Sequence, residues 1–185
     1  MSEMNHQVKQ EAPCRDALTG LYNYSEFNYR LTEEFNRCKR YGRMFSMLMF
    51  DIDHFGAVND NHGRIAGDRI LRGVADIIRT MTRSPDLVAR YGGEEFAVIL
   101  PETGGSGAYE AAQRILAAIG GHTFGVERGQ ALTVTVSIGV AEIPDDADSG
   151  ESLVAAADRA LREAKRAGGN CVRALGREQG TETRQ

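Results

Sequence analysis

The chain is poor in cysteine and proline and has no tryptophan. Its 185 residues include three cysteines and four prolines. Cys14, Cys38 and Cys171 are scattered, odd in number and without the C-x-x-C or Cys/His spacing of a zinc site. We therefore expect reduced thiols, no structural zinc and a cytoplasmic location, because disulfides persist mainly in oxidising compartments.

Long hydrophobic runs and an excess of basic charge are also missing. No apolar run approaches the roughly 20 residues that a membrane-spanning helix needs, and residues 1–11 lack the basic and apolar segments of a signal peptide. The formal net charge is -4, with basic and acidic residues interspersed. We therefore expect neither a membrane nor a long nucleic acid as a partner. An anionic ligand would need local cations or a metal ion.

The segment Arg90–Phe96 predicts a β-hairpin whose tip carries chemistry. Strand-like apolar residues flank it, and a Gly-Gly pair favours a tight turn because glycine adopts positive φ without steric cost. The repulsion between the adjacent carboxylates of Glu94 and Glu95 favours a bound cation. Gly92 and Gly93 leave room for a phosphate or ribose against the backbone. A solvated acidic hairpin is the alternative that this segment alone leaves open.

A second acidic cluster ends a strongly apolar segment. Residues 45–50 are long enough for a buried central strand, and Asp51 and Asp53 follow it. We interpret Asp53 as the cap of a helix that begins at His54, and Asp51 as a metal ligand. If this strand lies beside the hairpin, Asp51 converges with the two glutamates. Three carboxylates suit one or two Mg²⁺ ions for phosphoryl or nucleotidyl transfer.

Helical and strand periodicities alternate along the rest of the chain. Alternating residues 132–140 predict a strand with one buried face, and residues 171–174 predict a last strand. With 42% apolar residues, the chain can form one α+β domain, with helices around a largely antiparallel sheet. Apolar spacing predicts five helices. The first ends at Gly42, the second spans His54–His62, and the third runs from about Ile65 to Met81. The fourth ends at Gly120, and the fifth starts at a capping box in 148–151.

Taken together, these residues resemble the GGDEF domains of diguanylate cyclases. Gly92–Phe96 is similar to the family signature in its GGEEF form. The resemblance covers residues 14–174, which leaves residues 1–13 as a lead-in and 175–185 as a polar tail. It implies a ferredoxin-like nucleotidyl cyclase fold, shared with polymerase palm domains. Other family motifs occur in the expected order: DALTGLYN at 16–23, FDIDHF at 50–55, ND at 59–60, GD at 67–68 and ADRALREAK at 157–165.

The resemblance implies a reaction and its metal ligands. Such cyclases join two GTP molecules into cyclic di-GMP and release two pyrophosphates, with one GTP held by each subunit of a facing homodimer. Asp51, the backbone carbonyl of Ile52 and Glu94 would bind Mg²⁺, and Glu95 would complete a second metal position. Mn²⁺ is an alternative ion. Glu94 is also the candidate base for the attacking 3′-hydroxyl.

The resemblance also assigns nucleotide contacts. Asn59 and Asp68 would recognise guanine, Gly92 and Gly93 would lie against the substrate, and Lys165 would contact phosphate. An aspartate accepts hydrogen bonds from the N1 and N2 donors of guanine, which adenine lacks as a pair. Without the surrounding motifs, the residues alone favour a helix cap at Asn59, a solvated helical Asp68 and an ordinary charge at a helix C-terminus for Lys165.

Arg83 and Asp86 form an Arg-x-x-Asp pattern shortly before the hairpin. Many members of the family that the chain resembles bind cyclic di-GMP there as a feedback inhibitor. An arginine can donate two hydrogen bonds to guanine, and an aspartate can accept from its other edge. A solvated loop is the alternative, because a four-residue pattern of this kind is common by chance.

The chain departs from the family pattern at three positions near the expected phosphates. Gly56 and Gly169 stand where the family usually has a lysine and an arginine, and Arg64 stands where it usually has a histidine. Arg64 is a candidate to replace part of the lost charge. The competing function class is therefore a binding module, a degenerate domain that holds GTP or cyclic di-GMP and signals through a partner.

Overall fold

The computed structural model describes residues 14–126 and 131–175. The predicted lead-in, 1–13, and residues 176–185 of the predicted tail lie outside the described residues. In the described ranges the helices are α1 (Tyr24–Tyr41), α2 (Phe55–His62), α3 (Arg64–Met81), α4 (Gly105–Gly120) and α5 (Gly150–Arg166). The strands are β1 (Phe45–Ile52), β2 (Leu87–Gly92), β3 (Glu95–Pro101), β4 (Phe124–Gly125), β5 (Ala131–Leu132), β6 (Val136–Ile143) and β7 (Val172–Ala174).

Strand β1 lies at the centre of a five-stranded sheet with the order β2-β3-β1-β6-β7. The neighbouring strands are antiparallel except for β6 and β7, which are parallel. Strands β4 and β5 form a separate two-stranded pair. The prediction of an α+β fold with a largely antiparallel sheet is confirmed.

Helices cover both faces of this sheet, and the side chains of β1 alternate between them. Leu48, Phe50 and Ile52 pack with residues of α3 and α4. Met47 and Met49 pack with residues of α1 and α5. Burial of each of these side chains contributes roughly 1.5–3 kcal/mol. Because neighbouring residues of a strand point to opposite faces, Asp51 shares the face of Met49 and α5.

Local signals set most of the helix ends. Helix α1 ends at Gly42, which has a φ of 61° and closes the helix as predicted. Ser149 caps α5 and exchanges hydrogen bonds with Ser152 in a capping box. None of the helices in the described ranges combines the length and the apolar character that crossing a bilayer requires.

The predicted strand at 132–140 is wrong in its extent and its exposure. Ala131–Leu132 pairs with β4, and the central-sheet strand begins only at Val136. All eight residues of β6 are buried, rather than those on one face only. The reason is that β6 lies between β1 and β7 and is covered by α4 and α5.

Candidate active site

Asp51 and Glu95 lie directly opposite each other on the adjacent strands β1 and β3. Asp51, near the end of β1, is paired with Glu95, the first residue of β3. Lys165, near the end of α5, donates a hydrogen bond to Asp51 Oδ1. The Lys165 ammonium also lies 3.8 Å from Asp53 Oδ1. The structure thus brings together three of the predicted site residues from three different elements.

The charges at this point are unbalanced. Burial raises the pKa of Asp51, the Glu94 carboxylate adds to the increase, and Lys165 opposes it. Burial also raises the pKa of Glu95, and the carboxylates of Asp51 and Asp158 raise it further. Lys165 is shared by the carboxylates of Asp51 and Asp53, and a bound divalent cation would relieve the repulsion between Asp51 and Glu95.

Glu94 lies apart from this pair, at the tip of the hairpin. It lines a cleft on the α3 side of the sheet, whereas Asp51 and Glu95 face α5. Within the described ranges, no group of three or more His, Cys, Asp and Glu side chains is arranged to hold a metal ion. The expected convergence of Asp51, Glu94 and Glu95 is therefore incomplete in this structure.

Asp53 does not cap a helix, so that interpretation is wrong. The N-cap of α2 is His54, with a φ of 56° and no side-chain cap hydrogen bond. The buried Asp53 carboxylate instead accepts hydrogen bonds from Thr135 Oγ1 and Ser137 Oγ, each at 2.7 Å, and from the Asn170 backbone N at 2.8 Å. Asp53 therefore joins the end of β1 to β6 and to the segment after α5.

An arginine that was not among the predicted site residues holds the hairpin tip. Arg90 donates to the Gly93 carbonyl through Nε at 2.9 Å and Nη2 at 2.7 Å. Its Nη1 lies 3.2 Å from Asp16 Oδ2. Asp16 in turn accepts from the backbone N and Oγ1 of Thr19. Gly93 has a φ of 47°, so the turn requires a residue that tolerates the left-handed region.

The cleft beside the tip joins several predicted nucleotide-binding residues. Its volume is about 310 Å³, and its lining includes Asn59 of α2, Asp68 of α3, and Gly93 and Glu94 of the hairpin. Helices α2 and α3 approach closely here: a Cβ atom added at Gly67 would lie only 2.1 Å from Asn59 Oδ1. Glycine at this position therefore permits the close approach. Asn59 lies within α2 and therefore does not cap it.

The remaining predicted residues have different positions. Gly92 pairs with Glu95 in the β-ladder, and Ile52 is the last residue of β1. Arg83 and Asp86 lie at the opposite end of β2 from the tip, and they bind each other. Arg83 donates from its backbone N and from Nη2 to the Asp86 carboxylate, at 2.7 Å and 3.1 Å.

Arg90, which no sequence motif predicted as a site residue, lines the cleft together with Arg64. Arg90 stands directly before the Tyr-Gly-Gly of the signature, and Asp16 opens a motif near the start of the domain. Nothing local indicates that they meet, since 74 positions separate them. Arg64 was predicted only as a candidate to replace part of the missing phosphate-binding charge, because it departs from the family pattern.

The fold and the site define the class of protein as an α+β domain with an acidic glycine hairpin beside a cleft of about 310 Å³. The family described as "Diguanylate cyclase, GGDEF domain" matches residues 14–171. The chain therefore belongs to this family, which confirms the resemblance.

Known relatives support the assignment. Over 153 residues, 83% of this chain, it is 39% identical to diguanylate cyclase DgcP of Pseudomonas aeruginosa. Over 172 residues, 92% of this chain, it is 39% identical to response regulator PleD of Caulobacter vibrioides. These matches span only 22% and 37% of the lengths of those relatives.

A solved structure has the same fold. The GGDEF domain of DgcB from Caulobacter crescentus, crystallised in complex with c-di-GMP, superposes with a TM-score of 0.84 at 33% identity. The match covers 89% of this chain and 97% of that one.

Proposed function

We propose that this domain is a diguanylate cyclase that condenses two GTP molecules into cyclic di-GMP and two pyrophosphates. The observation that carries the proposal is the arrangement at the hairpin. The Asp51–Glu95 pair lies on one side, and the cleft with Asn59, Asp68 and Glu94 lies on the other. Family membership and the names of the relatives support the same activity.

The donor set fits magnesium. Mg²⁺ prefers oxygen ligands and is usually held by one or two carboxylates together with substrate phosphates and water. Asp51, the Ile52 carbonyl and Glu94 would hold one ion once Glu94 had turned from the cleft towards Asp51. Glu95 would complete a second position, with Mn²⁺ as an alternative. When bound, such an ion offsets phosphate charge and makes a ligating hydroxyl more acidic.

The other predicted site residues bind the nucleotide or transfer its proton. Asp68 accepts from guanine N1 and N2, and Asn59 contacts the same base. Gly92 and Gly93 have no side chains, so the sugar and phosphates can approach the backbone there. Lys165 releases Asp51 and binds a phosphate instead. Glu94 accepts the proton of the 3′-hydroxyl, which attacks the α-phosphate of the GTP in the partner subunit. A homodimer is therefore required.

Product inhibition is part of the proposal. The Arg83 side chain is 59% exposed, whereas that of Asp86 is 2% exposed. The exposed Arg83 guanidinium would give up its contacts to Asp86 and Thr103 and pair with guanine O6 and N7 of cyclic di-GMP. Asp86 would keep the hydrogen bond from the Arg83 backbone N, which holds the loop. If cyclic di-GMP does not bind there, Arg83 and Asp86 are a solvated loop pair.

We place the reaction in the cytoplasm, with GTP and cyclic di-GMP as ligands and without a membrane or a long nucleic acid. All three cysteines lie in the described ranges and are free thiols. Free thiols are expected of a reducing compartment.

A binding receptor for GTP or cyclic di-GMP is the second candidate. The observation that favours it is the shortage of cations, because Gly56 and Gly169 lack side chains and Lys165 is paired with Asp51. The two candidates differ in whether the bound nucleotide is converted.

Incubation with GTP and Mg²⁺, followed by chromatography of the nucleotides, distinguishes them. The cyclase produces cyclic di-GMP, and its rate per molecule rises with protein concentration because two subunits must meet. GTP that binds but stays unchanged, at concentrations where the protein is dimeric, supports the receptor and contradicts the cyclase.

A further inference from the structure

The cleft beside the hairpin tip contains an arginine that has no hydrogen-bond or ion-pair partner among the described residues. Arg64, the first residue of α3, lines this cleft with Asn59 and Asp68. It forms no hydrogen bond or ion pair with any residue in the described ranges. The other cleft arginine, Arg90, is already bound to Asp16 and to the Gly93 carbonyl. Arg64 is thus free to meet a ligand.

This position is unfavourable for a cation in the protein alone. The N-terminus of a helix carries partial positive charge, so an arginine in the first turn is disfavoured by the helix dipole. Pairing with Asp68 one turn later would offset this, but the structure contains no such ion pair. An arginine that precedes its acidic partner is also the weaker order for a helical pair. Both charged groups therefore remain available in the cleft.

Arg64 lies on the same face of α3 as Asp68, the residue proposed to bind guanine. Residues four and seven positions apart share one face of a helix, and Arg64, Asp68 and Leu71 all line the cleft. Four residues correspond to about 6 Å along a helix axis, which is comparable to the width of a purine. Asp51 and Glu95, the metal-side residues because both are proposed metal ligands, lie on the opposite face of the sheet, which packs against α5.

We infer that Arg64 is a specificity-determining residue that donates to O6 and N7 of the guanine whose N1 and N2 donors face Asp68. This inference rests on the proposed function, because it assumes that the cleft holds the base of GTP. Arginine is suited to this edge, since its planar fork can donate to both acceptors of guanine. Adenine has an amino donor in place of O6, so Arg64 and Asp68 would reject it on two adjacent edges.

The test replaces one atom of the ligand. In 7-deaza-guanine a carbon replaces N7, which removes one acceptor and leaves the N1 and N2 edge unchanged. We would measure dissociation constants by calorimetry for 3′-deoxy-GTP and its 7-deaza form, because nucleotides without the attacking hydroxyl are not converted. The proteins are the wild type, Arg64→Ala, Arg64→Lys and the control Arg69→Ala, which removes an exposed cation of α3 that does not line the cleft.

The wild type and Arg69→Ala should bind the 7-deaza form at least fivefold more weakly than 3′-deoxy-GTP. Arg64→Ala should bind 3′-deoxy-GTP about 5- to 100-fold more weakly than the wild type and should no longer distinguish the two ligands. Arg64→Lys, which keeps the charge but loses the fork, should recover only part of the affinity.

Other results would overturn the inference. If the wild type does not distinguish the two ligands, Arg64 does not bind N7. If Arg64→Ala weakens binding of 3′-deoxy-GTP but not of GMP, and Arg64→Lys restores it, Arg64 contacts phosphate instead. A wild-type protein that binds no guanine nucleotide contradicts the proposed function itself, and the inference with it.

Discussion

Arg90 and Asp16 form an ion pair between the β2–β3 hairpin and the turn that opens the domain. Against the opposing effect of burial, hydrogen bonds from Thr19 and the Arg90 guanidinium lower the pKa of Asp16 below its ordinary value of 3.8. Because Arg90 also binds the Gly93 carbonyl, this pair contributes to the shape of the hairpin tip.

The first prediction concerns the pH dependence of this contact. A carboxyl with a lowered folded-state pKa stabilises the protein above its ordinary pKa, and this contribution is lost as the pH falls through the folded value. Asp16→Asn should lower the free energy of unfolding by roughly 1–2 kcal/mol at pH 7, and the difference should narrow below pH 3.8. Urea unfolding at several pH values measures it. Asp60→Asn, an exposed carboxyl on α2, is the control. A difference that is constant with pH would contradict the ion-pair account.

The metal-side carboxylates should be required for synthesis but not for folding. Asp51→Ala or Glu95→Ala removes a proposed metal ligand from the end of a strand, so cyclic di-GMP production should fall below detection. Far-UV circular dichroism should match the wild type, because neither side chain belongs to the apolar core. Full activity in either variant would refute the metal assignment.

Asp53 should matter more for stability than for ligand binding. Asp53→Ala leaves the hydroxyls of Thr135 and Ser137 and the Asn170 N–H without their acceptor. We expect a loss of roughly 2–4 kcal/mol in the free energy of unfolding. Chemical denaturation measures it, with Asp60→Ala expected to change stability by no more than about 0.5 kcal/mol. Equal stability of both variants would show that the Asp53 contacts contribute little.

Arg83→Ala should weaken cyclic di-GMP binding at the proposed inhibitory site and relieve product inhibition. The loss of one bidentate contact corresponds to about 1–3 kcal/mol, or roughly 5- to 150-fold in affinity. Initial rates at increasing cyclic di-GMP concentration provide the measurement. Arg79→Ala removes another exposed arginine that is paired with an acid three residues away, and serves as the control. Inhibition that is unchanged in Arg83→Ala would support the solvated-loop interpretation.

The missing cations predict weak GTP affinity and slow turnover. Charge-assisted hydrogen bonds contribute roughly 1.5–3 kcal/mol each, so Gly56→Lys should lower the KM for GTP or raise the rate. A Cβ at Gly56 meets no atom within 4 Å, so a side chain can begin there without a clash. Gly56→Ala is the matched control, since it raises helix propensity without adding charge. Kinetics of Gly56→Lys that match those of Gly56→Ala would refute the phosphate-deficit argument.

Gly169 is unsuitable for the corresponding restoration. Its φ is 77°, and a Cβ there would lie 3.0 Å from the Asp53 carboxylate. Gly169→Arg would therefore strain the backbone and disturb the Asp53 contacts, which would hide any gain in phosphate binding. The single Gly56→Lys variant is the cleaner test.

Much of the fold could be predicted from the sequence because its signals are local. The apolar run of β1, the Gly-Gly turn and the stripe of α3 each depend on residues close together in the chain. Asp53 was misinterpreted because its partners lie 82 to 117 positions away. The strand at 132–140 was misinterpreted because alternation alone does not show where one strand ends and another begins.

The site was predicted in composition better than in arrangement. The residues of the cleft and of the carboxylate pair belong to short motifs that could be read individually. That Glu94 and Glu95 serve opposite faces of the sheet depends on the pairing of β3 with β1, which no single segment determines. The free Arg64 became informative only when its neighbours in space were known.

The pairing of Asp51 with Glu95 also limits how the hairpin can change length. Side chains along a strand alternate with a period of two residues, so one residue inserted between Glu95 and Phe96 would move Glu95 to the other face of the sheet. The second glutamate would then turn towards α3 and leave Asp51 facing a different side chain. Substitutions at the tip can alter its chemistry in place, whereas a one-residue insertion between Glu95 and Phe96 would separate the carboxylates of Asp51 and Glu95.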